Sequence, residues 1–162
     1  SFPHQFRKMV KSLQNLISEK IGLDSFDYIA SVPTSGLVIA SALAIETLKP
    51  LIYIRQKPKD YGTSSLIEGK IPEGSRVVLV DDVGTTGQSL LNAIKALKEA
   101  KIIVNSAFVI VNRLEGAKEN LEDEKVKLYE ITDILEISNA LHNEKILDNQ
   151  TLGRIKKQMG IN

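Results

Sequence analysis

The stretch Val77-Val-Leu-Val-Asp-Asp-Val-Gly-Thr-Thr-Gly-Gln-Ser89 decides how the rest of the chain is read. Val77 to Val80 is wholly apolar, as a central parallel strand covered on both faces requires. Asp81 and Asp82 end that run. A loop follows with two glycines, Gly84 and Gly87, and three hydroxyl side chains, Thr85, Thr86 and Ser89. A helical pattern starts at once, with Leu90, Leu91, Ile94 and Leu97 on one face between Thr86 and Ala100. Glycines let backbone approach a ligand closely, and free N–H groups at a helix start favour an anion, typically a phosphate. Two carboxylates cannot hold that phosphate themselves. They suit the hydroxyls of an attached sugar, or a divalent cation held through water. The combination describes a ribose-5-phosphate cradle at the C-terminal end of a strand, where open α/β sheets bind ligands.

Rival readings of the same residues fare worse. A Walker A loop needs Gly-Lys-Ser/Thr, and no Lys lies between Asp82 and Lys95. A dinucleotide fingerprint needs G-x-G-x-x-G, and the spacing here is G-x-x-G. Receiver domains place paired acids after an apolar strand near their N-terminus, whereas here two strands come first. A capped turn without a ligand is the plainest alternative. The density of acids, glycines and hydroxyls between Asp81 and Ser89 argues against it.

Outward from this stretch, strand and helix alternate. Phe6, Met9, Val10, Leu13, Leu16, Ile17 and Ile21 predict an amphipathic helix ending near Gly22. Tyr28 to Val32 reads as a buried strand, Pro33 to Gly36 as an interruption, Leu37 to Leu48 as a buried helix and Leu51 to Ile54 as a further strand. Ala107 to Val111 is another buried strand. Lys118 to Glu124 suggests a short polar helix and Val126 to Tyr129 an edge strand. Thr132 is a candidate cap for a helix with Ile134, Leu135, Ile137 and Leu141, and Asp148 or Asn149 for a last one with Leu152, Ile155 and Met159. The expected fold is an α/β domain with a mainly parallel sheet and helices on both faces. Arg55 to Gly74 differs, with three Gly, two Pro and little apolar periodicity. A loop that long in a compact domain is usually a functional lid.

Composition bounds the rest. A chain of 162 residues and 17.9 kDa, 43% hydrophobic and 25% charged, suits a single domain spanning residues 1–162. The net charge of +1 argues against a generally basic nucleic-acid binder. With no Cys, thiolate metal sites and thiol nucleophiles are excluded and a reducing cytoplasm is allowed. His4 and His142 form no metal-binding pair. The longest nearly apolar run, Gly36 to Ile45, is too short to span a bilayer. Because the chain begins at Ser1 rather than Met, an earlier segment is expected.

At this point the chain resembles the type I phosphoribosyltransferases. Val78 to Ser89 is similar to their phosphoribosyl-pyrophosphate signature. Arg55-Gln-Lys-Pro-Lys-Asp-Tyr-Gly-Thr-Ser-Ser-Leu-Ile-Glu-Gly69 resembles, more narrowly, the flexible loop of orotate phosphoribosyltransferases, which reads Arg-Lys-x-x-Lys-Asp-His/Tyr-Gly and ends in a similar Glu-Gly. Asn112 to Leu121 resembles that family's Asp-Arg-x-x-Gly-Gly segment, and Ser31 to Ala40 its pyrophosphate turn and following helix. The likeness covers essentially the whole chain. Gln56 stands where the family usually has Lys, with Lys57 beside it, and Ser35 where some members have Lys. The family's N-terminal segment that covers the orotate ring has no counterpart before Ser1, so that the segment is expected to be missing.

The resemblance implies an Mg2+-dependent enzyme of pyrimidine synthesis that joins orotate to the phosphoribosyl group of 5-phosphoribosyl 1-pyrophosphate. It implies that Asp81 and Asp82 bind the ribose 2′- and 3′-hydroxyls and orient Mg2+ through the substrate, with no direct protein ligand. Val83, Gly84, Thr85, Thr86, Gly87, Gln88 and Ser89 would hold the 5′-phosphate, and Thr34, Ser35 and Gly36 would donate to pyrophosphate. Arg55, Gln56, Lys57, Lys59 and Tyr61 would meet the leaving group, Lys59 matching the catalytic lysine. Catalysis would rest on Lys59, Arg55 and Asp82. Thr85 and Arg113 would contact orotate, the Arg113 guanidinium forking onto its carboxylate; an ion pair with Glu115 is the alternative. A cytoplasmic homodimer sharing the basic loop across its interface is implied, with no nucleic-acid or membrane partner. A transferase for another nucleobase, or a non-catalytic regulator binding the same sugar phosphate, remains as the other reading.

Overall fold

The computed structural model describes residues 2–57 and 65–160. Six strands form one sheet: β1 (Tyr28–Ser31), β2 (Leu51–Ile54), β3 (Ile67–Glu68), β4 (Arg76–Gly84), β5 (Ile103–Asn112) and β6 (Lys127–Asp133), in the order β3-β2-β1-β4-β5-β6. All neighbours run parallel except β3, which is antiparallel to β2. Six helices connect or follow them: α1 (Pro3–Lys20), α2 (Ser35–Thr47), α3 (Gln88–Glu99), α4 (Ala117–Asp123), α5 (Ile134–Asn143) and α6 (Asn149–Gln158).

The strand pattern explains the layers. Along β4, Val77 and Leu79 point into one core with Ile94 and Leu97 of α3 and Leu121 of α4. Val78 and Val80 point into the other, with Leu13 and Ile17 of α1 and Leu43 of α2. Both faces are buried, so each residue of the run is apolar and helices cover the sheet on both sides. The expected α/β class and mainly parallel sheet are observed.

Several boundaries differ from expectation for identifiable reasons. β4 does not stop at Val80. Asp81, Val83 and Gly84 pair with Val109, Val111 and Asn112 of β5, so the long neighbour supplies backbone partners past the last apolar residue. The helix expected from Thr86 begins at Gln88. Thr132 does not cap α5, since it still belongs to β6; Asp133 does, accepting from the N–H groups of Leu135 and Glu136. Asp148, rather than Asn149, caps α6. Within the stretch expected to be a loop from Arg55 to Gly74, Ile67 and Glu68 pair with Ile54 and Tyr53. A two-residue strand leaves too little sequence for alternation to register.

The order of strands places a switch point between β1 and β4. The chain leaves β1 through α2 toward β2 on one side, and leaves β4 through α3 toward β5 on the other. Ligands in open α/β sheets settle beyond the carboxyl ends of the strands at such a point.

Candidate active site

Two turns flank the switch point, one after β1 and one after β4. In the second, Gly87 adopts φ 78°, in the left-handed region, and serves as N-cap of α3. A Cβ there would lie 2.7 Å from Leu121 Cδ1, so glycine is required by conformation and by space. No side chain caps α3. Its first-turn N–H groups border a small cleft, about 40 Å3, lined by Asp81, Val83, Thr85, Gly87, Gln88 and Ser89. Open amides and the positive end of the helix dipole suit an anion of phosphate size. The loop is held from behind. Asn120 Nδ2 donates to the Thr86 carbonyl at 2.9 Å, and the Arg113 N–H donates to the Gly84 carbonyl at 2.8 Å.

The first turn carries Thr34, Ser35 and Gly36. The Pro33–Thr34 peptide is cis, and α2, like α3, has no side-chain cap. Gly36 brings this turn against the acids. A Cβ on it would overlap Asp81 Oδ1 and lie 2.9 Å from Ser31 Oγ and 3.0 Å from Asp81 Cα. Ser31, fully buried at the end of β1, donates from Oγ to the Val80 carbonyl at 2.7 Å and ties the two strands together where the turns diverge.

This close approach half-buries Asp81. Desolvation raises its carboxyl pKa to about 7; the nearby Asp82 charge adds to the rise, while the Asp82 N–H, donating to Asp81 Oδ1 at 2.9 Å, opposes it. Asp82 Oδ1 in turn accepts from the Val83 N–H at 2.9 Å. Each acid therefore keeps one carboxylate oxygen on the backbone.

Arg55, Gln56 and Lys57 leave the end of β2 and line a cavity of about 230 Å3 with Val32, Ser89 and Asn92. Ser89 borders this cavity and the small cleft alike, so the basic residues and the cradle face adjoining space. Lys59 and Tyr61 lie outside the described residues. Arg113 follows β5, and its backbone bond to Gly84 sets it beside Thr85. Its guanidinium pairs with Glu115 at 2.6 Å in this structure. Among the described residues no cluster of three or more His, Asp or Glu could cage a metal ion.

Sequence reasoning assigned no role to four residues that build the site. Ser31 and Asn120 fix its two turns, and Asn92 lines the larger cavity. Glu68 holds Arg55, Oε1 lying 3.1 Å from Nε. Glu68 stands in a Glu-Gly pair at the end of the basic stretch, and Ser31 and Asn120 fall within two segments that carry the family resemblance; Asn92 had no such signal, and Ser31, Asn92 and Asn120 act through contacts remote in sequence.

The chain matches the phosphoribosyl transferase domain over residues 4–145. An orotate phosphoribosyltransferase from Cenarchaeum symbiosum (strain A) is 42% identical over 156 residues, covering 96% of this chain and 78% of that protein. The crystal structure of orotate phosphoribosyltransferase from Aeropyrum pernix superposes with a TM-score of 0.72 and 33% identity, over 83% of this chain and 74% of that one. The structure of Leishmania donovani UMP synthase gives a TM-score of 0.85 and 28% identity over 98% of this chain, which spans about a third (34%) of that much longer protein.

Proposed function

Because this chain belongs to the phosphoribosyl transferase domain family, and within it to the orotate phosphoribosyltransferases, we propose that it transfers the phosphoribosyl group of 5-phosphoribosyl 1-pyrophosphate to orotate, giving orotidine 5′-monophosphate and pyrophosphate. The observation that carries this reading is the meeting, at one switch point, of an uncapped Gly87 helix start, the Asp81–Asp82 pair and a cavity lined by Arg55 and Lys57.

In the reaction the bond from the anomeric carbon to the pyrophosphate oxygen breaks, a ring nitrogen of orotate forms the new bond there, and the proton that nitrogen carried passes to the departing pyrophosphate. Positive charge builds on the sugar and negative charge on the leaving group. The amides from Gly87 to Ser89, with the hydroxyls of Thr85, Thr86 and Ser89, hold the 5′-phosphate. Asp82, and Asp81 once ionised, accept hydrogen bonds from the ribose 2′- and 3′-hydroxyls and place negative charge near the developing cation. The N–H groups of Thr34, Ser35 and Gly36 receive pyrophosphate from one side; Arg55, Lys57 and, as proposed from resemblance, Lys59 and Tyr61 meet it from the other. Such preorganised donors stabilise charge as it develops and cost no reorganisation at that moment. Arg113 leaves Glu115 and forks onto the orotate carboxylate, beside Thr85.

Two adjacent carboxylates offer hard oxygens, too few for an all-protein cage and well suited to Mg2+ held through water and substrate. Asp81 and Asp82 would hold the ion through water and substrate, and its charge would offset that of the leaving group. A homodimer sharing the basic loop, working in a reducing cytoplasm, completes the proposal. No helix among the described residues is long and apolar enough to cross a membrane.

The test is direct. Orotate absorbance should fall when the protein meets orotate, 5-phosphoribosyl 1-pyrophosphate and Mg2+, and should not when a chelator is added. Adenine should not replace orotate, and Arg113→Ala should raise the orotate KM with little change for the sugar phosphate. A protein that consumed adenine and left orotate untouched would overturn the assignment.

A further inference from the structure

Glu68 is the second residue of β3 and lies opposite Tyr53 of β2. Its carboxylate reaches Arg55 Nε at 3.1 Å, and both side chains are largely withdrawn from solvent, 31% and 24% exposed. The backbone reinforces the link, since the Arg55 N–H donates to the Leu66 carbonyl at 2.8 Å. Gly69 explains how β3 comes so close. It has φ 120°, and a Cβ on it would lie 2.8 Å from Ile52 Cγ2. A side chain at 69 would push β3 off β2 and carry Glu68 away from Arg55. The two residues of the Glu-Gly pair thus serve one contact: the glycine lets the strand dock, and the docked strand sets the glutamate against the arginine.

The grip is on one side of the guanidinium only. A carboxylate at Nε leaves the two terminal nitrogens as donors, and Arg55 lines the cavity that also holds Lys57, Ser89 and Asn92. A bare Glu68 would be a poor neighbour for pyrophosphate, because like charges repel. Its use is to fix the arginine's orientation before the substrate arrives, so that less freedom is lost on binding. We propose that Glu68 is a positioning residue that acts through Arg55 to present the guanidinium to the pyrophosphate of the substrate. The proposal rests on the phosphoribosyltransferase reading of this site.

A double-mutant cycle tests it. Arg55→Ala and Glu68→Ala should each raise the KM for 5-phosphoribosyl 1-pyrophosphate by roughly fivefold or more, and the orotate KM by less than about twofold. In the Arg55→Ala background Glu68→Ala should cost a markedly smaller factor than in the parent, because the two side chains act through one contact. Glu68→Asp, which keeps the charge and is gentler to the fold, should lose a smaller factor in the parent and a still smaller one beside Arg55→Ala. Effects that multiply independently, or a Glu68 effect spread equally over both substrates, would show that Glu68 supports only the fold. A parent protein inert toward orotate would instead sink the functional reading on which the proposal stands.

Discussion

Asp81 shows how a single residue can set function against stability. Its carboxyl is half-buried because Gly36 carries the first turn of α2 directly onto it, and the resulting desolvation is the main cause of its pKa near 7. In the unfolded chain the same group titrates near 3.8. Below that value both states hold the proton and Asp81 costs the fold nothing. As pH rises toward 7 the unfolded state gives up its proton and the native state keeps it, so stability falls through that window and levels off above it. Asp81→Asn removes the titration and keeps the oxygen that accepts the Asp82 N–H. The variant should match the parent in Tm near pH 4 and exceed it increasingly up to about pH 7, while losing affinity for 5-phosphoribosyl 1-pyrophosphate with Mg2+. Thermal melts across that range check the first half and calorimetry at pH 8 the second. A Tm difference that shrank as pH rose would contradict the burial argument. A more stable variant that binds less is the usual outcome where a site stores an unfavourable charge.

At the scale of elements, the turn into α3 depends on Gly87 for two reasons that act together, its φ of 78° and the nearness of Leu121. Gly87→Ala should cost about 1–3 kcal/mol. For a domain of this size each kcal/mol lowers Tm by about 2–4 °C, which a melt will read. The phosphate cleft should suffer with it, because its amides belong to the same turn. Gly153, exposed on α6 with open space around it, provides the contrast: alanine there should stabilise the helix slightly. The same elements show what a sequence makes legible. Val77 to Val80 announces a central strand because both of its faces meet a core, and the Asp-Asp-x-Gly-x-x-Gly run announces a ligand because few other needs bring those residues together. Leu90, Ile94 and Leu97 announce α3 by period. β3 left no pattern, being two residues long, and Ser31, Asn92 and Asn120 look ordinary until the fold sets them beside partners distant in the chain. Asp133 took the cap expected at Thr132 because β6 ran on alongside β5.

For the whole molecule, the proposed homodimer makes a quantitative demand. If Lys59 of one protomer serves the Asp82 of the other, Lys59→Ala and Asp82→Asn are each inactive for reasons on opposite sides of one composite site. Mixed and exchanged, about half of the dimers carry both kinds of subunit, and each of those has one intact site, so about a quarter of parental activity should return. No recovery, with exchange confirmed by mass spectrometry, would mean that each subunit completes its own site. Whichever protomer it serves, the basic segment starts and ends at one place, since the Arg55 N–H meets the Leu66 carbonyl and β3 lies on β2. Ten residues of sequence, 56 to 65, lie between those anchors. Both anchors are contacts of residues outside that segment, so its sequence and length can change without moving the sheet edge on which it is hung. The cations it brings and the acids at the end of β4 can therefore vary independently of one another.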